Sequence, residues 1–367
     1  MKRYLRPLGL LSGSAARDAI AAGLALPLGG GPLAYSLVEV IKRHGPGDIR
    51  RSIVTFAREA GEGGAHRLRW EGEGAFESLK PPRPPTADAA GPSLSRSTGE
   101  GLIVMGVVNA TPDSFSDGGD HFDPAAAIAH AEAMIRAGAG IVDIGGESTR
   151  PGSEPVPVEE EIRRVVPVIA GIRAMAEAVG ITISIDTRNA VTMLAALDAG
   201  ASMINDVSAL THDPDALAVA AQATGPVVLM HMQGEPRTMQ LAPTYDDVAL
   251  DVYDALEARI AAAEAAGVDR SRIVADPGIG FGKTVEHNLA LLGQFSLFHG
   301  LGVPLLVGVS RKGFLARLSA GEPPGQRLGG SLAAGLAATQ QGARIVRVHD
   351  VPETLQALRV IAAIRNV

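Results

Sequence analysis

Eight short apolar runs between residues 102 and 348 each end in a polar residue suited to chemistry. In order, the ends are Asn109, Asp143 with Glu147, Asp186, Asn205 with Asp206, His231, Asp276, Ser310, and Arg347 with His349. Helical patterning separates each run from the next, and strand-helix alternation of this kind specifies a parallel sheet. Eight units over about 260 residues match a closed (β/α)8 TIM barrel. In that α/β fold the C-terminal strand ends face one mouth, where active sites sit. The polar tips would then converge from distant parts of the chain, which stability alone does not require.

The strands are expected near 102–108, 141–145, 181–185, 202–205, 226–230, 272–275, 304–309 and 344–348. Helices are expected near 124–138, 159–179, 189–199, 213–223, 244–266, 285–295, 327–341 and 351–364. Asp123-Pro124, Asp213-Pro214 and Val351-Pro352 signal helix starts, because the fixed φ of proline suits the first turn. Gly138, Gly180, Gly200, Gly225, Gly267 and Gly342 each follow a helix, where a left-handed stop favours glycine.

Residues 1–80 differ. They carry two apolar runs, Tyr35–Ile41 and Ile53–Ala57, and the single tryptophan, Trp70, without strand-helix repetition. They are read as a small N-terminal accessory region whose role the sequence does not reveal, a packing or oligomerisation appendage being the plainest reading. Residues 81–100 hold Pro81, Pro82, Pro84, Pro85 and Pro92 among Ser and Gly and read as a linker, leaving 101–367 for the barrel.

Composition narrows the function. A net charge of −7 argues against nucleic acid as a partner. No window reaches the roughly 18–20 apolar residues of a membrane span. The start, MKRYLRPLGLLSGSA, is interrupted by Arg6 and Pro7, so a signal peptide is not expected. The absence of cysteine excludes disulfides and thiolate metal sites and suits the cytoplasm. An anionic substrate would need locally placed cations or a metal.

Met105–Gly119 and Gly145–Val156 are long turn-rich segments after the first two strands, suited to a pair of lids. Asn109 offers a neutral oxygen for Mg²⁺ or a phosphate contact, or simply a loop cap. Thr149 and Arg150 put a hydroxyl and a bidentate cation near the mouth. Asp186, Asn205 and Asp276 tip otherwise apolar strands. Two carboxylates and an amide suit a ligand rich in N–H donors, such as an aminopyrimidinone ring, or else cap loop N–H groups.

GIGFGKT (Gly278–Thr284) is not a phosphate-binding Walker loop, because Pro277 stands where that pattern needs its first glycine. It reads as close backbone approach to a flat ligand, with Phe281 near the pocket. Ser310, Arg311 and Lys312 at strand seven, and Arg347 and His349 at strand eight, occupy the places where barrels bind phosphate. His231 is open between a hydrogen-bonded structural residue and a base. No strand carries a His-x-His pair, so a permanent zinc centre is not expected.

The blocks NATPDSFSDGG, GGESTRPG, IDT, IND, LMHMQG, DPGIGFGK, VGVSRK and RVHDV, in this order, resemble the dihydropteroate synthase family of pterin-binding barrels. The resemblance spans Gly101 to Ile364 and leaves the first hundred residues uncovered. It implies a transferase of folate biosynthesis, of the kind sulfonamides target. The reaction would join (7,8-dihydropterin-6-yl)methyl diphosphate to 4-aminobenzoate, giving 7,8-dihydropteroate and diphosphate, with Mg²⁺ as cofactor and a homodimer as assembly. It implies that Asp186, Asn205, Asp276 and Lys312 surround the pterin, with Met230 and Phe281 as apolar walls. By the same resemblance Asn109 contacts Mg²⁺ and diphosphate, and Lys312, Arg347 and His349 serve the chemistry. Thr149, Arg150, Pro151, Phe115 and Ser310 would form the aminobenzoate side. Two alternatives share the barrel. A methyltetrahydrofolate-corrinoid methyltransferase would have no use for the diphosphate cations, and an inactive pterin-binding subunit would show eroded tips, which this sequence does not.

Overall fold

The chain begins with a sheet that stands outside the repeating pattern. The computed structural model describes residues 1–28, 33–60, 66–70, 101–111, 123–148, 155–235 and 237–365, and for residues 56–60, 66–70, 176 and 365 the backbone alone. In the N-terminal unit, β1 (Lys2–Leu11), β2 (Leu26–Pro27), β3 (Ala34–Gly45), β4 (Asp48–Ala60) and β5 (His66–Trp70) form one antiparallel sheet, with α1 (Gly13–Ala21) after β1. Gly45-Pro46-Gly47-Asp48 turns β3 into β4. Proline at the first central position and Gly47 at φ +70° at the second are the chemistry of a type II turn. Leu28, Leu33, Tyr35, Val38 and Val40 give this sheet a core of its own, while Tyr4 and Ile41 join the main core of the barrel.

Eight parallel strands follow: β6 (Ile103–Asn109), β7 (Ile141–Gly145), β8 (Thr182–Asp186), β9 (Met203–Asp206), β10 (Val227–Met230), β11 (Ile273–Asp276), β12 (Leu306–Gly308) and β13 (Ile345–Val348). They pair in the order β11-β10-β9-β8-β7-β6-β13-β12, and a parallel bridge from Ala275 to Leu305 joins the two ends. The sheet is a closed barrel. The outer ring is α2 (Pro124–Ala137), α3 (Val158–Arg173), α4 (Ala190–Asp198), α5 (Ala216–Gln222), α6 (Val248–Ala265) and α7 (Val285–Gly293), then, after the short α8 (Gly313–Arg317), α9 (Leu328–Gln340) and α10 (Val351–Arg365). Strands covered on both faces must be apolar throughout, which is why they read as runs rather than alternations. Among the described residues no helix is long and apolar enough to cross a membrane.

Two punctuation signals have other causes. Pro214 sits in a turn just ahead of the helix: the Ala216 amide donates to the Asp213 carbonyl at 3.1 Å, and α5 begins at Ala216. Gly225 does not take a left-handed φ. A Cβ there would lie 1.8 Å from the Ser202 carbonyl oxygen, so close chain approach demands the glycine. The other five glycines of that set do have φ between 78° and 114°.

Candidate active site

Side chains of a strand alternate between its two faces, so an inward residue is followed two positions later by another. Ile103, Met105, Ile141, Met203, Val228, Val274, Leu306 and Ile345 form a single apolar cluster inside the barrel. Two residues beyond five of these come Asp143, Asn205, Met230, Asp276 and Arg347, and four beyond Met105 comes Asn109. Asp186 is level with Asn205 and Gly145. The sequence therefore builds an apolar plug with a polar floor on top of it. Asp206, one position out of phase, serves the backbone instead: its carboxylate accepts from the Ser208 amide and hydroxyl and from the Leu210 amide. Those bonds hold a turn in which Ala209 and Leu210 have φ of 52° and 61°.

The floor is ionic. Arg347 donates from Nε to Asp143 Oδ2 and from Nη2 to Asp186 Oδ2, each at 2.6 Å, and Asn205 Nδ2 donates to Asp143 Oδ2 at 3.0 Å. Asp143 is fully buried and Asp186 nearly so. Among the described residues, Asp143 Oδ1 and Asp186 Oδ1 are buried without a hydrogen-bond partner. Burial pushes the Asp186 carboxyl up despite the opposing pull of Arg347. Burial likewise pushes Asp276 up to about 6, against the Gly278 amide at 2.8 Å and the charges of Lys312 and Lys283. Carboxylate oxygens held dry and short of donors are acceptors for N–H groups.

One wall is apolar. Val207, Met230, Met239 and Phe281 pack together, and Lys312 Nζ lies 3.9 Å from the Phe281 ring centroid. Burial lowers Lys312 to about 8, with Arg347 adding to the effect and Asp276 and Asp186 opposing it. Gly278, at φ +67°, would place a Cβ 1.9 Å from the His231 carbonyl oxygen, and Gly282, at φ +61°, 2.3 Å from that of Gln233. These two glycines answer a neighbouring loop rather than a flat ligand, so the reading of the GIGFGK segment is corrected there. Gly280, whose Cβ would come 3.0 Å from Lys312 Cδ, borders a residue of the candidate site.

His231 is engaged by Lys283, a residue that no sequence motif marks as its partner. Lys283 is almost wholly buried; its Nζ lies 3.0 Å from His231 Nδ1 and donates to the Phe281 carbonyl at 2.9 Å. Burial lowers Lys283 to about 7 and His231 to about 3, so the imidazole is neutral and accepts through Nδ1. The pair staples the loop after β10 to the loop after β11.

At the last two strands, the Ser310 hydroxyl lies 3.0 Å from His349 Nδ1 and accepts the His349 amide at 3.2 Å. Arg311, at φ +59°, pairs with Asp350, so its charge is directed at a neighbouring turn rather than offered to a phosphate as expected. A second pair that the sequence did not reveal is Arg188 with Glu147, at 3.2 Å and both sheltered. Asn109 ends β6, half-buried. Phe115, Thr149, Arg150 and Pro151, with the linker and most of the two long segments read as lids, lie outside the described residues.

Residues 105–349 match the family described as pterin binding enzyme. The dihydropteroate synthase of Escherichia coli (strain K12) is 49% identical over 260 residues, 71% of this chain and 90% of that one. A solved Xanthomonas albilineans dihydropteroate synthase with 4-aminobenzoic acid superposes with a TM-score of 0.68 at 49% identity, covering 75% of this chain and 95% of that chain. The Xanthomonas albilineans enzyme in complex with 7,8-dihydropteroate gives 0.66 at 46% identity, covering 75% and 96%. With the polar floor in the region matched, the chain belongs to the pterin-binding enzyme family and, within it, to the dihydropteroate synthases.

Proposed function

We propose that the protein joins (7,8-dihydropterin-6-yl)methyl diphosphate to 4-aminobenzoate in this barrel mouth, a reading supported by the dihydropteroate synthases it matches, one solved with 4-aminobenzoic acid and one with 7,8-dihydropteroate. The observation that carries the site assignment is the floor of Asp186, Asn205 and Asp276, where among the described residues the buried Oδ1 atoms of Asp186 and of the adjoining Asp143 lack donors, with Lys312 against Phe281 in the neighbouring wall. A 2-amino-4-oxo pterin presents N–H donors along one edge and an acceptor oxygen next to them. The carboxylates read the first, Lys312 and Asn205 the second, and Met230 and Phe281 flank the ring.

The chemistry needs no protein nucleophile. The bond between the pterin methylene carbon and the diphosphate oxygen breaks, and its electron pair leaves with the diphosphate. The aryl amine nitrogen bonds to the carbon and then releases a proton. Cations at the departing oxygens stabilise the developing charge. His349, held by Ser310, is the diphosphate contact. Arg347 acts mainly by holding Asp143 and Asp186 in place.

Asn109 fits a Mg²⁺ that arrives with the diphosphate: a carboxamide oxygen is a hard ligand, and substrate phosphates supply most of the rest in such sites. Among the described residues no three His, Cys, Asp or Glu gather as a resident centre would need. When bound, the ion neutralises charge on the leaving diphosphate. The aminobenzoate side falls to Thr149, Arg150, Pro151 and Phe115, with Ser310 at its edge. A cytoplasmic homodimer completes the proposal.

The test is a coupling assay with the dihydropterin diphosphate, 4-aminobenzoate and Mg²⁺, reading dihydropteroate by mass. Product that disappears with EDTA supports the proposal. Pterin binding without product would refute the synthase activity.

A further inference from the structure

Residues 1–70 carry eleven Lys and Arg against five Asp and Glu, in a chain whose net charge is −7. This basic unit rests on an acidic strip of the barrel. Asp246, Asp247, Asp251, Asp254 and Glu257 line the start of α6, and cations of the sheet meet all five. Lys2 pairs with Asp254 and Glu257 at 2.6 Å. Arg43 reaches Asp251 at 2.6 Å and Asp246 at 2.8 Å, and Arg51 reaches Asp247 at 2.7 Å. The turn amide of Gly47 donates to Asp246 at 3.0 Å, and Tyr4 donates its hydroxyl proton to Asp254 at 2.9 Å. Tyr4 also packs edge-on against Tyr253, with ring centroids 5.4 Å apart.

These contacts fall where the pocket wall begins. Asp247 is the N-cap of α6, accepting from the amides of Ala249 and Leu250. Two residues earlier, Tyr245 donates its hydroxyl proton to the Gly282 carbonyl at 2.8 Å and meets the His231 ring at 6.0 Å. Gln233 and Thr244 exchange two hydrogen bonds of 2.9 Å across the loop, and Gln240 Nε2 donates to the Gly280 carbonyl at 2.6 Å. Met239 of this loop packs on Met230 and Phe281. Unbroken contacts thus run from Arg43 and Arg51 through Asp246, Asp247 and Tyr245 to the segment that carries Phe281.

We propose that the N-terminal sheet is a positioning unit for the proposed reaction: by clamping Asp246 and Asp247 it sets the loop residues 237–247 and the wall that Phe281, Met230 and Met239 present to the pterin. The inference rests on the reading of this pocket as the pterin site. Fixing this end of the loop lowers the ordering that pterin binding must impose on it. By linkage, a pterin in the pocket must tighten the clamp to the same degree.

The test compares the full chain with Arg43→Ala/Arg51→Ala, using calorimetry of the free dihydropterin alcohol well below the melting temperature of either. The double variant is expected to bind the alcohol about three- to thirtyfold more weakly, the range found for residues that couple without touching ligand. Lys2→Ala, which loosens only the far end of the strip, should keep wild-type affinity. A lower melting temperature with unchanged pterin affinity would overturn the inference and leave the sheet a stabilising appendage. If the double variant does not fold, hydrogen exchange on the wild-type protein decides: the alcohol should slow exchange at the Gly47, Ala249 and Leu250 amides, and no slowing overturns the proposal. Wild-type protein that binds the alcohol yet forms no dihydropteroate would refute the proposed activity while leaving this binding test intact.

Discussion

Replacing Arg347 with methionine removes the one cation that bridges Asp143 and Asp186. The guanidinium makes two 2.6 Å bonds to carboxylates whose side chains are 0% and 8% exposed, and is itself only 20% exposed. Breaking a buried pair by deleting one partner costs about 3–5 kcal/mol, because the other charge is left dry and alone. Here two carboxylates are left, although Asn205 still donates to Asp143. About 3 kcal/mol is therefore expected at pH 8, read as the loss of unfolding free energy in urea. The sign of the pH dependence follows. The Asp186 carboxyl is already raised by burial and held back by Arg347, so it rises further in Arg347→Met. The folded variant then binds a proton at pH values where wild type does not, and its deficit shrinks as the pH falls toward 6. Adding Asp143→Asn should recover part of the loss, a coupling that a double-mutant cycle isolates. A deficit below about 1 kcal/mol that does not change with pH would refute the idea that this ion cluster holds the floor together.

Three further expectations can be checked separately. Gly278→Ala should cost at least about 2 kcal/mol in urea, since φ +67° strains a side chain and its Cβ would lie 1.9 Å from the His231 carbonyl oxygen; a near-neutral result would show that the loop can shift. Lys283 falls from 10.5 in the unfolded chain to about 7 when folded, through burial. The folded state thus binds fewer protons between those values, and this group makes stability rise with pH from about 7 to 10.5; Lys283→Met should remove that slope, and an unchanged slope would assign it elsewhere. His349→Ala should weaken binding of the diphosphate ester far more than that of the pterin alcohol, and equal losses by calorimetry would place His349 away from the diphosphate.

The barrel was legible because every strand is covered on both faces and ends where the mouth begins. The expected strand bounds lie within a residue or two of those observed. Helix bounds were softer. The expected helix 159–179 ends at Arg173 and continues as a 3-10 turn, Ala176–Ala178, and the expected 244–266 starts at Val248 because Asp247 caps it. Candidate polar residues could be named one strand at a time, but their partners could not. Arg347 finds Asp143 across 204 positions, and no local pattern encodes that. The phase of the alternation was the available signal that separates Asn205, which faces the floor, from Asp206, which caps a loop. Lys283 is not legible locally because GIGFGKT points to its glycines and Phe281 as neighbours of a flat ligand, whereas the lysine ammonium binds two loops together. The N-terminal sheet's place on α6 was invisible because it rests on long-range ion pairs.

The claim on which the rest depends is that the carboxylate floor reads the pterin. Calorimetric titration of the dihydropterin alcohol into wild type and Asp276→Ala tests it most directly. Removing a buried acceptor strands the ring donors at about 1–3 kcal/mol for each unmet bond, so affinity should fall by about ten- to a hundredfold or more. A folded Asp276→Ala protein that binds the alcohol as tightly as wild type would contradict the account.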